Sequence, residues 1–250
     1  MNYNAMQNKV FKEIRACCQH LLQAYDKLGN SFIAQEKRAS FTQRIDQDLQ
    51  SELISILSQT YKDHVFVAEE PDENASQEMI DAEHVWVIDP IDGSHNFANH
   101  IPFFAISICY YYEGIASVAW VYDPIHDELF TAIEGRGATL NQKRIRCSLQ
   151  SQPSETICGL ELRKPSQIND LPSLVATQRK MGATALTLCY VASGRFDMAI
   201  CERPRIWDYA AGALIAKEAG AIITNEKQQP YSEQDQFLLV GNGKLIKNTL

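Results

Sequence analysis

Apolar residues recur at helical spacing through the first thirty positions: Val10, Phe11, Ile14, Cys17, Cys18, Leu21, Leu22 and Tyr25, with Lys12, Glu13 and Gln19 between them. That pattern predicts an amphipathic helix rather than an apolar leader. Gly29-Asn30 is a stop signal, and the polar stretch through Ser40 reads as a loop before a second helix. Asp46 opens that helix, and Leu49, Leu53, Ile54 and Leu57 form its buried stripe. The period then shortens. Val65 to Ala68 is an apolar run that stops at Glu69-Glu70, and Val85 to Ile88 stops as abruptly at Asp89. Two buried strands therefore deliver carboxylates at their ends.

Ile106 to Tyr112, Ser117 to Tyr122 and Glu128 to Ile133 read as three further strands, separated by Glu113-Gly114 and Asp123-Pro124 and closed by Gly135-Arg136-Gly137. This half, residues 1–140, is predicted to be helices on an antiparallel sheet. Residues 141–250 alternate instead: a strand near Thr156 to Leu160, helices near Leu171 to Lys180 and Thr184 to Ala192, and a strand at Met198 to Cys201. A helix from Trp207 to Ala219 and strands at Ala221 to Thr224 and Phe237 to Val240 complete an α/β half. No Pro-, Gly- or Ser-rich linker separates the halves, so the boundary is expected to be a packed seam.

Composition narrows the class. A chain of 250 residues, 45% hydrophobic and 22% charged, is globular and large enough to need no staples. A net charge of −8 gives no reason to expect direct nucleic-acid binding. The seven cysteines form no C-x-x-C pair, and the apolar runs are too short to span a bilayer as helices. A cytoplasmic protein with reduced thiols is expected.

The chemistry concentrates in Trp86 to Phe97, where a hydrophobic strand runs into Asp89-Pro90-Ile91-Asp92-Gly93-Ser94. Pro90 biases Asp89 toward extended backbone, and Gly93 permits a tight turn. Such dipeptides are ordinary turn formers, but this turn can also aim two carboxylates at one point. Adjacent buried anions repel unless a cation lies between them, and an all-oxygen donor set suits magnesium or manganese better than zinc. Backbone amides of Gly93 and Ser94 would face a phosphate.

Ala68-Glu69-Glu70, the Asp89 to Ser94 run, and Trp207-Asp208-Tyr209-Ala210-Ala211-Gly212 with Glu218-Ala219-Gly220 resemble the signature blocks of the inositol monophosphatase family, in that family's order. Gly182 through Gly194 resembles its further helical block. The resemblance implies a layered αβαβα sandwich of the sugar-phosphatase type and a cluster of two to three magnesium ions, with manganese a possible substitute. Glu69, Asp89 and the Ile91 carbonyl would hold one ion, and Asp89, Asp92 and Asp208 a second. Glu70 and Ser94, with Asp46 acting through Ser94, would orient the attacking water. The resemblance further implies a small phosphorylated metabolite as substrate and a homodimer.

On the substrate side, Asp92, Gly93, Ser94, Ala183, Thr184, Cys201, Glu202 and Arg205 are the candidate contacts. Here the chain departs from the family. Ala68 replaces a glycine and Ser94 a threonine, and the glutamate that inositol-preferring relatives carry seven residues before the last metal-binding aspartate is Cys201, with Glu202 beside it. Inositol monophosphate or a related sugar or polyol phosphate is the leading substrate class. Fructose 1,6-bisphosphate, histidinol phosphate and 3′-phosphonucleotides are the alternatives within the fold. A different class of function is open too: relatives act in bacterial transcription complexes, where partner contact would matter more than hydrolysis.

Overall fold

The computed structural model describes residues 2–29, 33–69, 82–162 and 176–249. Two long helices come first, α1 (Tyr3–Gly29) and α2 (Arg38–Thr60). The polar stretch expected to be a loop through Ser40 is already helical from Arg38, after a single 3₁₀ turn at Gln35–Lys37. The Arg38 guanidinium donates to the Leu28 carbonyl at 3.1 Å and so satisfies one of the orphan acceptors at the end of α1. Asp46 consequently sits in the interior of α2 rather than at its opening, buried at 7% exposure.

A seven-stranded sheet follows, in the order β1-β2-β3-β4-β5-β6-β7. Its strands are β1 (Val65–Ala68), β2 (His84–Asp92), β3 (Ala105–Tyr112), β4 (Ile115–Asp123), β5 (Glu128–Ile133), β6 (Gly137–Leu140) and β7 (Lys143–Arg144), with the short helix α3 (Ser94–Ala98) after β2. The expected antiparallel sheet holds from β2 onward, but β1 pairs with β2 in parallel. That departure matters, because the register Ala68↔Ile88 brings Glu69 abreast of Asp89. The Gly135-Arg136-Gly137 segment does not close the series. Both glycines have positive φ, 71° and 89°, and the turn leads into β6. The Glu218 carboxylate accepts from both glycine amides, at 2.9 and 2.6 Å, so this glutamate of the last signature block holds a turn.

The second sheet has the order β11-β12-β10-β8-β9, from β8 (Ile157–Glu161), β9 (Thr177–Arg179), β10 (Met198–Glu202), β11 (Ile222–Thr224) and β12 (Phe237–Gly241). The helix expected over residues 171–180 is corrected at its end: Thr177–Arg179 is an edge strand in register with Ile157–Gly159, and residues 163–175 lie outside the described ones. Pairing with β8 overrides local helical preference there. Helices α4 (Thr184–Ala192) and α5 (Ile206–Glu218) match their sequence patterns, and α6 (Gly243–Thr249), which no pattern announced, ends the chain.

Strand alternation builds the layers. In β2, Trp86 and Ile88 face α1 and α2, whereas Val85 and Val87 face α4 and α5. In β10, Ala199 and Cys201 face the same helix pair from the other side, and Met198 and Ile200 pack under α6. The result is an αβαβα sandwich with α4 and α5 as the middle layer. Among the described residues, no helix is long and apolar enough to cross a membrane.

Candidate metal centre and substrate cavity

Residues three apart in a regular strand point to opposite faces, so Asp89 and Asp92 should diverge. They do not, because the β2–β3 register slips by one residue between Asp89↔Ser107 and Asp92↔Ala105. Pro90, lacking an N–H, cannot continue the ladder, and the bulge it marks turns both carboxylates into one cavity. The Ile91 amide donates to Asp89 Oδ1 at 3.0 Å and fixes the bend. Gly93 then takes φ 92°, and a Cβ there would stand 3.0 Å from Ala183 Cβ, 3.1 Å from the Phe103 carbonyl and 3.2 Å from the Gly182 carbonyl. Glycine is required on both counts.

The cavity, of about 280 Å³, has Glu69, Asp89, Ile91, Asp92, Ser94 and Asp208 among its lining residues. Asp89 and Asp92 reach it from the end of β2, and the other two carboxylates come from separate elements. Glu69 follows β1, and Asp208 is the third residue of α5, where it accepts from the Arg205 amide at 2.8 Å in a capping interaction. Asp92 accepts from the Thr184 amide at 2.8 Å and the Leu186 amide at 3.1 Å, both in the first turn of α4. Those two donors would otherwise be orphans of the helix start, and the α4 dipole favours the anion.

Burial pushes the Asp89 carboxyl well above the usual carboxylate range, and Asp92, Glu69, Asp208 and Asp46 push it in the same direction. Asp92 is likewise pushed up by burial, against the opposing pull of the Leu186 and Thr184 amides. Such a cluster stores charge repulsion that a divalent cation would relieve. Among the described residues, no three His, Cys, Asp or Glu side chains stand grouped as a metal ion would need them. Oxygens of Asp89, Asp92 and Asp208 are instead engaged by backbone amides. The donor set is all oxygen, with Asp89 and Asp92 buried and Glu69 open to solvent, and it fits a hard divalent ion.

Thr184, Gly182, Cys201 and Glu202 line the same cavity, together with Glu161, Leu162, Lys180 and Pro204. Of the sequence-derived contacts, Gly93, Ser94, Thr184, Cys201 and Glu202 therefore meet in one cavity. Ala183 is buried as the residue before α4, beneath the lining, and Arg205 is exposed at the start of α5 with its backbone turned to Asp208. Asp46 lines a neighbouring space of about 230 Å³ shared with Glu69, Ser94, Thr42 and His95. Glu70 lies outside the described residues.

Sequence reasoning missed Glu161. Its carboxyl is raised by burial and accepts from Thr187 Oγ1 at 2.7 Å, Gly182 N at 3.0 Å and Met181 N at 3.3 Å. The signal was present: Cys158-Gly159-Leu160 running into Glu161 repeats the pattern of an apolar strand ending in a carboxylate. Glu161 stands in register beside Cys201 on the parallel pair β8–β10.

Comparison with known proteins agrees with this architecture. The profile of the inositol monophosphatase family matches residues 3–250, and the chain belongs to that family. It is 32% identical over 248 residues to the Nus factor SuhB of Haemophilus influenzae, covering 96% of this chain and 90% of that one. The fold is similar to that of the extragenic suppressor protein SuhB from Bartonella henselae, with a TM-score of 0.85, 27% identity and coverage of 98% and 97%. An inositol monophosphatase from Anabaena is similar with a TM-score of 0.78, 27% identity and coverage of 98% and 94%.

Proposed function

We propose that this protein is a magnesium-dependent phosphatase that hydrolyses the phosphomonoester of a small polyol or sugar. One observation carries the reading: four carboxylates, Glu69, Asp89, Asp92 and Asp208, share a single cavity, where burial and the neighbouring acids push the Asp89 and Asp92 carboxyls well above the usual carboxylate range. Glu69, Asp89 and the Ile91 carbonyl would hold one magnesium ion, and Asp89, Asp92 and Asp208 another. Bound magnesium would neutralise phosphoryl and leaving-group charge and lower the pKa of the attacking water. The Gly93 and Ser94 amides would donate to the phosphate. The Ser94 hydroxyl, with Glu70 and Asp46, would orient the water for in-line attack.

The remaining lining residues favour a leaving group rich in hydroxyls. Glu202 could accept hydroxyl donors, Glu161 and Glu202 together would repel a second phosphate, and Lys180 is the basic residue lining the cavity among those described. Arg205, a candidate substrate contact from the sequence, is exposed and not among the lining residues.

The test is phosphate release from a panel of polyol monophosphates, sugar bisphosphates and 3′-phosphonucleotides, with and without magnesium, with Asp92→Asn as the blank. Magnesium-dependent turnover of polyol monophosphates, lost in the variant, is expected. A wild-type protein without turnover on any of these compounds would sink the reading. A second reading, partner contact in a transcription complex, is supported by the likeness to proteins named Nus factor SuhB. It predicts a cellular phenotype that Asp92→Asn leaves unchanged.

A further inference from the structure

Met181 and Gly182 form the bend that leads into α4, and they are gripped from two sides. Asn96, buried in α3, donates from Nδ2 to the Met181 carbonyl at 2.8 Å and to the Phe103 carbonyl at 2.8 Å. From the opposite side, the Glu161 carboxylate accepts from the amides of Met181 and Gly182 and from the hydroxyl of Thr187, one turn into α4. Gly159, two residues before Glu161 on the same strand face, lets α4 come this close: a Cβ there would meet Thr187 Cγ2 at 2.5 Å. The next amides along the chain, those of Thr184 and Leu186, are the two that hold the Asp92 carboxylate.

We propose that Glu161 is a positioning residue for Asp92: it fixes the bend before α4 and so aims the amide pair that orients the Asp92 carboxylate. The inference rests on the proposed reading only in treating Asp92 as a metal ligand. A carboxylate is the side chain suited to the task, because it accepts at both oxygens and faces three donors. Glutamine at this position would turn an NH₂ group toward an N–H or a hydroxyl, leaving one donor unsatisfied.

The experiment compares wild type, Glu161→Gln, Thr187→Val and Thr187→Ser by amide hydrogen exchange and by calorimetric titration with Mn²⁺ and Mg²⁺. Neither measurement needs turnover, so a protein that binds metal without releasing phosphate would defeat the phosphatase reading and leave this one to be judged. In Glu161→Gln, exchange at Thr184 and Leu186 is expected to accelerate, and metal affinity to fall about tenfold, the scale of losses from groups that orient metal ligands. Thr187→Val keeps the packing and the glutamate but removes one donor, and is expected to show a smaller loss of the same kind. Thr187→Ser restores the hydroxyl and should restore affinity. Unchanged protection at Thr184 and Leu186 in Glu161→Gln, or equal affinities for the valine and serine variants, would overturn the proposal.

Discussion

Gly93→Ala tests whether the metal-bearing turn is held by close approach as well as by backbone conformation. Two costs are separable. An L-residue held at positive φ costs about 1–2 kcal/mol. The three contacts at 3.0–3.2 Å around the built Cβ add an overpacking cost of about 1–3 kcal/mol, since two of them are backbone carbonyls that cannot rotate away. The sum is about 2–5 kcal/mol, or a fall in Tm of roughly 4–20 °C for a chain of this size. Gly114→Ala supplies the control, because Gly114 has φ 75° and nothing within 4 Å of its built Cβ. It should lose only the conformational part, about 1–2 kcal/mol. Urea unfolding of both variants in chelator keeps metal binding out of the comparison. If Gly93→Ala unfolds no more easily than Gly114→Ala, the close-approach argument is wrong.

The remaining predictions concern charge and thiols. Asp89 and Asp92 bind protons more tightly in the folded chain than in the unfolded one. Their contribution to stability is therefore fully present below the unfolded carboxylate value of about 3.9 and is lost as pH rises through the folded values. In chelator, Asp89→Asn should gain stability over wild type as pH rises from 4 to 8, and magnesium should reverse the order; parallel melting curves across that range would refute this. Arg195 pairs two-pronged with Glu128 of β5, one bond at 2.6 Å, and its guanidinium lies 4.7 Å over the Tyr190 ring. The partly exposed pair ties the first sheet to the segment after α4, so Arg195→Lys should cost about 1 kcal/mol in urea, read against Arg195→Ala for the full loss. All seven cysteines are buried, with Cys17 and Cys18 pushed up to about 12 by burial. A thiol reagent should label the native protein slowly and the unfolded protein at all seven sites; rapid native labelling would contradict the packing.

Much of this protein was determined by local pattern. The stripe of α1, the runs of β3, β4 and β5, and the helices α4 and α5 lie where their apolar patterns put them: α1 buries one face, whereas the three strands and the two middle helices are apolar along most of their length and buried on both sides. The carboxylate-ended strands were equally visible, since an apolar run that stops at an acid has few bland explanations when it recurs. Tertiary structure decided what those acids face. Parallel pairing of β1 with β2 brought Glu69 beside Asp89, and a one-residue bulge turned Asp89 and Asp92 to the same side. The bulge had a local signal in Pro90 and Gly93, but the parallel pairing had none, because strand partners are chosen by burial of whole faces. The same holds for Thr177–Arg179, which became an edge strand because β8 offered an open ladder. Glu161 shows the limit most clearly: its residue type was plain in the chain, but its role depends on Met181, Gly182 and Thr187, twenty and more residues away, arriving within hydrogen-bonding distance.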